Sequence, residues 1–319
     1  MNETDIPIMI MSYKRSGKMH TARVLRELQY EPWFIVVDDE DPTLEEYRQK
    51  FGDRVVVFDY SEARRNVDMG DNINYRTRVS AVNEMPNIVQ RLGYRYYILF
   101  DDDYTAFHYT YDSFLRRNVV RNSKTFWNDI RITAKTFTRA VHAYFHYFRT
   151  TERFTSLAMA QRGDFLAGKR GTRPVLMRKV MNSFFCDVQR PVRFYGRLNE
   201  DVTAYTLLGR MGELFGTCTM VCLRQVATQQ TPGGVSDVYV AEGTYVKTFY
   251  SVLYTPSCVR VGMIENTTAK RNSLRIHHRV RWKYAAPKIL RESVKRTTGQ
   301  NVSAGQEVKS NRQIPAEWY

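Results

Sequence analysis

The chain has 319 residues, 43% of them hydrophobic and 13% aromatic, enough apolar material for the packed core of one large or two smaller α/β units. Its 48 Lys and Arg against 33 Asp and Glu leave a net charge of +15, implying a polyanionic partner: nucleic acid, a nucleotide donor or an anionic surface. No apolar run approaches the about 18–20 residues of a membrane span, and the acidic start Asn2-Glu3-Thr4-Asp5 does not read as a signal peptide, so a soluble, unexported chain is expected.

In chain order, residues 6–11 read as a buried strand, with Pro7 near its start where a missing N–H is tolerated. A polar, basic turn follows at 12–18, then a helix carrying Met19, Ala22, Leu25 and Leu28 at helical spacing. Residues 33–37 form a second strand that ends in Asp38, Asp39, Glu40 and Asp41, and residues 54–58 form a third. Val79, Val82, Ile88, Val89 and Leu92 mark a helix that Pro86 should kink and Gly93 should stop. The strand at 96–100 then runs into the triplet Asp101-Asp102-Asp103.

Beyond the triplet, Ile130, Ala134, Phe137, Val141, Tyr144 and Phe148 form an aromatic helical stripe that should face the core. Shorter strands are expected at 155–161, 175–181 and 217–223, and Asn199-Glu200-Asp201 stands where a loop enters a helix at 202–211. Residues 229–234 read as a loop, 239–254 as a helix weakened by Gly243, and 297–319 as a polar tail. Cys186, Cys218, Cys222 and Cys258 form neither a CxxC pair nor a disulfide ladder, so reduced thiols and no zinc are expected. Strands alternating with helices imply a mostly parallel sheet with helices on its faces, whose strand-end loops meet at a ligand crevice. The 12–18 turn, the acidic cluster at 38–41 and the triplet should therefore converge.

Three adjacent carboxylates repel one another and call for a compensating charge. Strand alternation would put Asp101 and Asp103 on one side and Asp102 on the other. Hard oxygen ligands at a strand end suit Mg²⁺ or Mn²⁺ held together with a substrate diphosphate; the bland alternative is a solvated acidic turn. Asp201 can serve as a general base, or Asn199 or Asp201 can merely cap the following helix. Either His277 or His278 can ligate a metal, while His278 shares the apolar parity of Ile276, Val280 and Trp282 and so also fits a core histidine. Lys14, Arg15, Lys18, Arg76 and Arg78 are candidates for donor phosphates, with a surface role as the alternative for each. Basic residues concentrate at 170–197 and 270–296, where phosphate contacts and a solvated face are both open.

This order of elements resembles the GT-A class of nucleotide-sugar glycosyltransferases over residues 6–285. The carrying residues are those at 12–18, Asp38 and Asp39, Asp101 to Asp103, Asn199 to Asp201, and His277 with His278. The resemblance implies an α/β, Rossmann-like, mostly parallel central sheet with acceptor-side elements towards the C-terminus. It implies one catalytic domain over 1–296, divided into a nucleotide-sugar half at about 1–104 and an acceptor half at about 105–296. It also implies Mn²⁺ or Mg²⁺ as cofactor, ligated by Asp103, with Asp101 on the metal, the ribose or a bound water, and His277 or His278 as a further ligand. Ser12, Lys14, Arg15, Lys18, Asp38, Asp39, Arg76, Asp101 and Asp102 would form the donor site. Asp201 would be the general base of an inverting displacement, and Glu200, Arg279 and Arg281 would lie on the acceptor or DNA side.

A narrower resemblance is carried by Arg193-Phe194-Tyr195-Gly196-Arg197-Leu198-Asn199-Glu200-Asp201, the 229–234 loop and the basic charge. These look like the phage glycosyltransferases associated with TET/JBP-type oxygenases. That implies transfer of a sugar, with UDP-glucose as the leading donor, to hydroxymethylcytosine or hydroxymethyluracil in DNA. It also implies the cytoplasm, that of a bacterial host for a phage protein. Three other readings compete: the same fold acting on protein, lipid or polysaccharide; a nuclease with Asp101, Asp103 and Glu200 on two metals; and a non-catalytic DNA-binding module.

Overall fold

The computed structural model describes residues 5–73, 76–109, 111–112, 117–118, 131–151, 153–161, 176–177, 179–181, 183–226, 238–239, 243–266 and 273–292. Its first half alternates strand and helix: β1 (Ile8–Met11), α1 (His20–Glu27), β2 (Trp33–Asp38), α2 (Leu44–Phe51), β3 (Val55–Phe58), α3 (Tyr60–Arg65), α4 (Val79–Arg91) and β4 (Tyr96–Asp101). After the edge strand β5 (Tyr104–Tyr109) come the short pair β6 (Tyr111–Asp112) and β7 (Arg117–Asn118), then α5 (Ala134–Thr150) and β8 (Phe154–Gln161). The chain continues through β9 (Ser183–Asp187), α6 (Glu200–Arg210), β10 (Leu214–Gln225), α7 (Val246–Tyr254), the ribbon β11 (Val259–Asn266) and β12 (Ser273–Val280), and α8 (Trp282–Ala285).

Eight strands form one sheet in the order β3-β2-β1-β4-β9-β8-β10-β5. The four leading strands are mutually parallel, as the continuous apolar runs of β1 and β4, buried on both faces, require. The remainder adds antiparallel pairings to the expected parallel ones. β9 runs antiparallel to both β4 and β8, and β5 antiparallel to β10, while β8 and β10 are parallel. The sheet is therefore mixed and largely parallel.

Alternation along β1 divides the core. Ile8 and Ile10 join one apolar layer, where α5 packs through Phe137, Val141, Tyr144 and Phe148; Met9 and Met11 join the other, with α4 and α6. Phe137 lies between Tyr30 and Phe107 at ring distances of 5.4 and 4.7 Å. Fully burying each such ring is worth about 1.5–3 kcal/mol. The effect is to hold rigid the strand ends that carry the polar residues.

Some expected elements move. Residues 176–177 and 179–181 are not strand, and the strand in that region is β9, with the run Ser-Phe-Phe-Cys-Asp. The helix expected at 239–254 is interrupted: residues 238 and 239 are helical, but Gly243 sits at φ +84°, in backbone that a helix does not use, and α7 begins at Val246. Helix α6 starts at Glu200, so Glu200 and Asp201 occupy its first turn rather than a preceding loop. The 229–234 loop and the 297–319 tail lie outside the described residues. All four cysteines are free, and no helix among the described residues is long and apolar enough to cross a membrane.

Candidate active site

The strand-end loops do meet. Ser12, just past β1, donates from Oγ to Asp102 Oδ2 at 2.6 Å, and Arg15 Nη1 donates to Asp102 Oδ1 at 2.8 Å. Since the Ser12 proton is committed to Asp102, the Tyr47 hydroxyl, 2.7 Å away, donates to Ser12 Oγ; it accepts in turn from the Arg15 N–H at 2.9 Å. Asp41, buried, accepts from the Lys14 N–H at 2.7 Å and so fixes the left-handed turn at Lys14, φ +56°. Asp39 accepts from the Tyr60 N–H at 2.9 Å. Lys18 is exposed.

The triplet does not alternate as a strand. β4 ends at Asp101, and Asp102 and Asp103 form the turn into β5, so each carboxyl takes its own direction. Asp102 is buried on the Ser12 and Arg15 side. Asp101 faces Arg78, whose Nη1 lies 3.1 Å from Oδ1. Asp103 Oδ1 is buried with no hydrogen-bond partner. Thr21 of α1 sets the turn: its Oγ1 donates to the Asp101 carbonyl at 2.6 Å and accepts from the Tyr104 N–H at 2.9 Å, and its N–H donates to the Asp102 carbonyl at 3.1 Å. Nothing in the sequence pattern singles out Thr21.

Arg78 joins the triplet to the start of α6. Its Nε stands 2.9 Å from Glu200 Oε1 while Nη1 faces Asp101, and Nη2 is buried without a hydrogen-bond partner. Asp201 Oδ1 accepts the Val202 N–H at 2.8 Å. Asp101 to Asp103, Glu200 and Asp201 thus face only Arg15 and Arg78 among the ion pairs of the described residues. The excess of negative charge is resisted by protonation. Burial, reinforced by Asp101 and Asp102, pushes Asp103 up to about 8. Burial pushes Glu200 up to about 7 against the opposing pull of Arg78, with Asp201 adding to the rise. Asp101 is raised too, by burial, with Arg78 opposing.

Arg76 is engaged by carboxylates: Nε lies 3.5 Å from Asp38 Oδ2, Nη2 pairs with Glu40, and the guanidinium stacks 3.9 Å over Tyr60. Burial, opposed by Arg76, raises Asp38 to about 6. Tyr13, Tyr60 and Arg76 line a cleft of about 610 Å³ with Glu40, Ser61, Arg64 and Arg65. The loop leading to Arg76 and Arg78 is clasped by Arg197, which is 1% exposed and whose Nε donates to Asp71 Oδ1 at 2.9 Å; Tyr250 donates to the same carboxylate.

Asn199, at φ +56°, adopts left-handed backbone, which Asn tolerates better than most residues. Its side chain does not cap α6. Instead Nδ2 donates to Ser251 Oγ at 3.1 Å and to His278 Nδ1 at 2.9 Å. Burial, followed by Lys179, His277 and Lys247, depresses the His278 pKa to about 2, so the ring is neutral. His277, its ring centre 4.1 Å from that of His278 and tilted to it, is depressed to about 4 by burial and the same lysines with Arg275. Arg279 and Arg281 are occupied locally, Arg279 Nη2 donating to the Met263 carbonyl at 2.6 Å and Arg281 stacking 4.3 Å from the Tyr284 ring.

The arrangement offers a cluster of largely buried carboxylate oxygens short of positive charge, bounded by the guanidiniums of Arg15 and Arg78. It suits a substrate that brings its own cation and phosphate. A model of the TET-associated glycosyltransferase family matches residues 6–234, a span that includes Ser12, the triplet, Arg78 and Asp201 but ends before α7 and the β11–β12 ribbon. No curated protein matches the chain.

Proposed function

The chain belongs to the TET-associated glycosyltransferase family, and from that premise we propose that it is a metal-dependent, inverting enzyme of GT-A architecture. It moves a sugar, with glucose from UDP-glucose as the leading candidate, onto the hydroxymethyl group of a 5-hydroxymethylpyrimidine in DNA. The carrying observation is the buried carboxylate cluster that Arg78 ties to the first turn of α6. TET association favours DNA as the acceptor, and the net charge of +15 agrees with it.

The orphaned, buried Asp103 Oδ1 and the hard-oxygen character of the cluster fit Mn²⁺ or Mg²⁺, with Asp103 and Asp101 as protein ligands. Among the described residues no three His, Cys, Asp or Glu side chains form a ready-made cage, so the ion would need substrate phosphate and water to fill its shell. When bound, such an ion supplies the counter-charge for a leaving nucleoside diphosphate.

The chain's own residues do the rest. Arg78, whose Nη2 has no hydrogen-bond partner, offers a donor for the phosphates while holding Asp101 and Glu200 in place. Ser12, Arg15 and Asp102 fix the loop that borders the donor, and the cleft of Tyr13, Tyr60 and Arg76 takes the nucleoside. Asp201 takes the proton of the acceptor hydroxyl as its oxygen bonds to the anomeric carbon and the bond to the diphosphate breaks, which inverts that carbon. A modified base in duplex DNA must leave the stack to reach such a buried group.

The test is to incubate the protein with a panel of nucleotide sugars, Mn²⁺ or EDTA, and DNA carrying normal or hydroxymethylated pyrimidines, followed by nucleoside mass spectrometry. Metal-dependent appearance of a glycosylated hydroxymethyl nucleoside is expected, with a β-linkage by NMR. Transfer undiminished in EDTA, or an α-linked product from an α-linked donor, would overturn the mechanism.

A further inference from the structure

His278 is buried, and its Nε2 has no hydrogen-bond partner. Which ring nitrogen carries the proton follows from the neighbour. The Asn199 amide nitrogen has hydrogens and no lone pair to offer, so His278 Nδ1 accepts. In the neutral ring the proton is then on Nε2, which becomes a buried N–H donor with nothing to donate to. A metal ligand needs the opposite, a lone pair at the free nitrogen.

The surroundings are cationic. Lys247 and Ser251 are four residues apart on α7 and so share a face, the one on which Ser251 meets Asn199 beside His278. The Lys247 ammonium lies 5.2 Å from the centre of the Tyr239 ring. Lys179, in the segment held by Thr217 Oγ1 donating to its carbonyl at 2.7 Å, is a second positive charge acting on the imidazole. Burial lowers the Lys247 pKa, with Asp201 opposing, and the α7 face that carries Lys247 meets Asn199, the residue that precedes α6. An unpaired N–H amid ammonium groups repels a cation and receives an oxyanion.

We infer that His278 and Lys247, with Lys179 alongside, form a phosphate-binding site in which the imidazole donates from Nε2 and does not ligate a metal. The inference rests on the glycosyltransferase reading only for the two sources of that phosphate, the diphosphate of a nucleotide sugar and the backbone of the acceptor DNA. The shared chemistry is a phosphate oxyanion bordering Asp201.

The experiment measures binding rather than transfer. Full-length protein, wild type, Lys247→Gln, His278→Gln and His278→Leu, is titrated in EDTA with pyrophosphate and with a hydroxymethylated oligonucleotide, and separately with Mn²⁺ alone. Nitrogen-15 histidine NMR of the wild type reports the tautomer. Expected are a neutral Nε2–H ring and a loss of about tenfold or more for one phosphate probe in Lys247→Gln and His278→Leu. His278→Gln, which keeps an amide donor near Nε2, should retain most of that affinity, and Mn²⁺ affinity should not fall in any variant. The weakened probe identifies the source: pyrophosphate for the donor, the oligonucleotide for the acceptor. A proton on Nδ1, a tenfold loss of Mn²⁺ affinity in His278→Gln, or phosphate binding untouched in Lys247→Gln would overturn the inference. If His278→Leu does not fold, the tautomer and Lys247→Gln still decide. Failure to glycosylate DNA would refute the proposed acceptor while leaving these binding results intact.

Discussion

Adjacent aspartates at the end of β4 have opposite duties. Asp102 spends both oxygens on Ser12 and Arg15 and is 2% exposed, which is the situation of a structural ion pair. Asp102→Ala should therefore destabilise the protein by about 3–5 kcal/mol in denaturant unfolding, because the ion pair with Arg15 and the acceptor of the Ser12 hydroxyl are both lost. Asp103 has an oxygen with no partner and a pKa raised to about 8, which is the situation of a ligand waiting for a cation. Asp103→Asn should leave metal-free stability unchanged or slightly higher near pH 8, while Mn²⁺ binding by calorimetry drops at least tenfold. Equal stability losses in the two variants would remove the distinction. Neighbouring identical letters conceal this difference in sequence: strand alternation was the available rule, and it fails because Asp102 and Asp103 are turn residues.

The elements act as brackets for these residues. Helix α1 supports the triplet through Thr21, fully buried, with hydrogen bonds to three backbone groups of residues 101–104. Thr21→Val removes the hydroxyl and with it the hydrogen bonds to the Asp101 carbonyl and the Tyr104 N–H, at about 1–3 kcal/mol for buried groups. Unfolding of Thr21→Val and Thr21→Ser should separate by that amount, with Ser near the wild type. If valine is as stable as serine, the bracket carries no weight. The parallel elements β1 to β4 were legible because buried parallel strands are long apolar runs between punctuating polar turns. Helices α2 and α3 were not, since the short sequences Leu-Glu-Glu-Tyr-Arg-Gln-Lys-Phe and Tyr-Ser-Glu-Ala-Arg-Arg bury little and show a weak stripe. Strand β9 is not legible in the sequence because its antiparallel place between β4 and β8 depends on partners distant in sequence.

Across the whole molecule, the sequence pattern brought the right loops together but did not describe their wiring. The triplet, the Ser12 turn and the first turn of α6 were foreseeable as one site. The clasp of Arg197 on Asp71 and the seat of His278 against Asn199 are not, because each joins residues more than 70 positions apart. The pooled acidic charge has a consequence for stability. Glu200 at about 7 and Asp103 at about 8 are both raised above their unfolded values of about 4. A raised carboxyl pKa means that the folded state holds a proton the unfolded state releases. Its contribution is fully present below about pH 4 and is lost as pH rises through about 7 to 8. The melting temperature in EDTA should accordingly fall from pH 7 to pH 8.5, above the range in which the depressed His277 and His278 make it rise, and Glu200→Gln with Asp103→Asn should flatten that fall. Mn²⁺ should restore more stability at pH 8 than at pH 5, since the ion replaces protons. A wild-type profile that rises over this range would contradict the coupling.

The assignment of roles within the cluster is tested most directly by comparing Asp201→Asn and Asp103→Asn in one assay of sugar transfer to hydroxymethylated DNA, with Mn²⁺ affinity measured on the same samples. Asp201→Asn should keep Mn²⁺ and donor affinity near wild type and lose turnover by about 10²-fold or more, whereas Asp103→Asn should lose both metal and turnover. Transfer at the wild-type rate by either variant would contradict a metal-dependent displacement with Asp201 as its base.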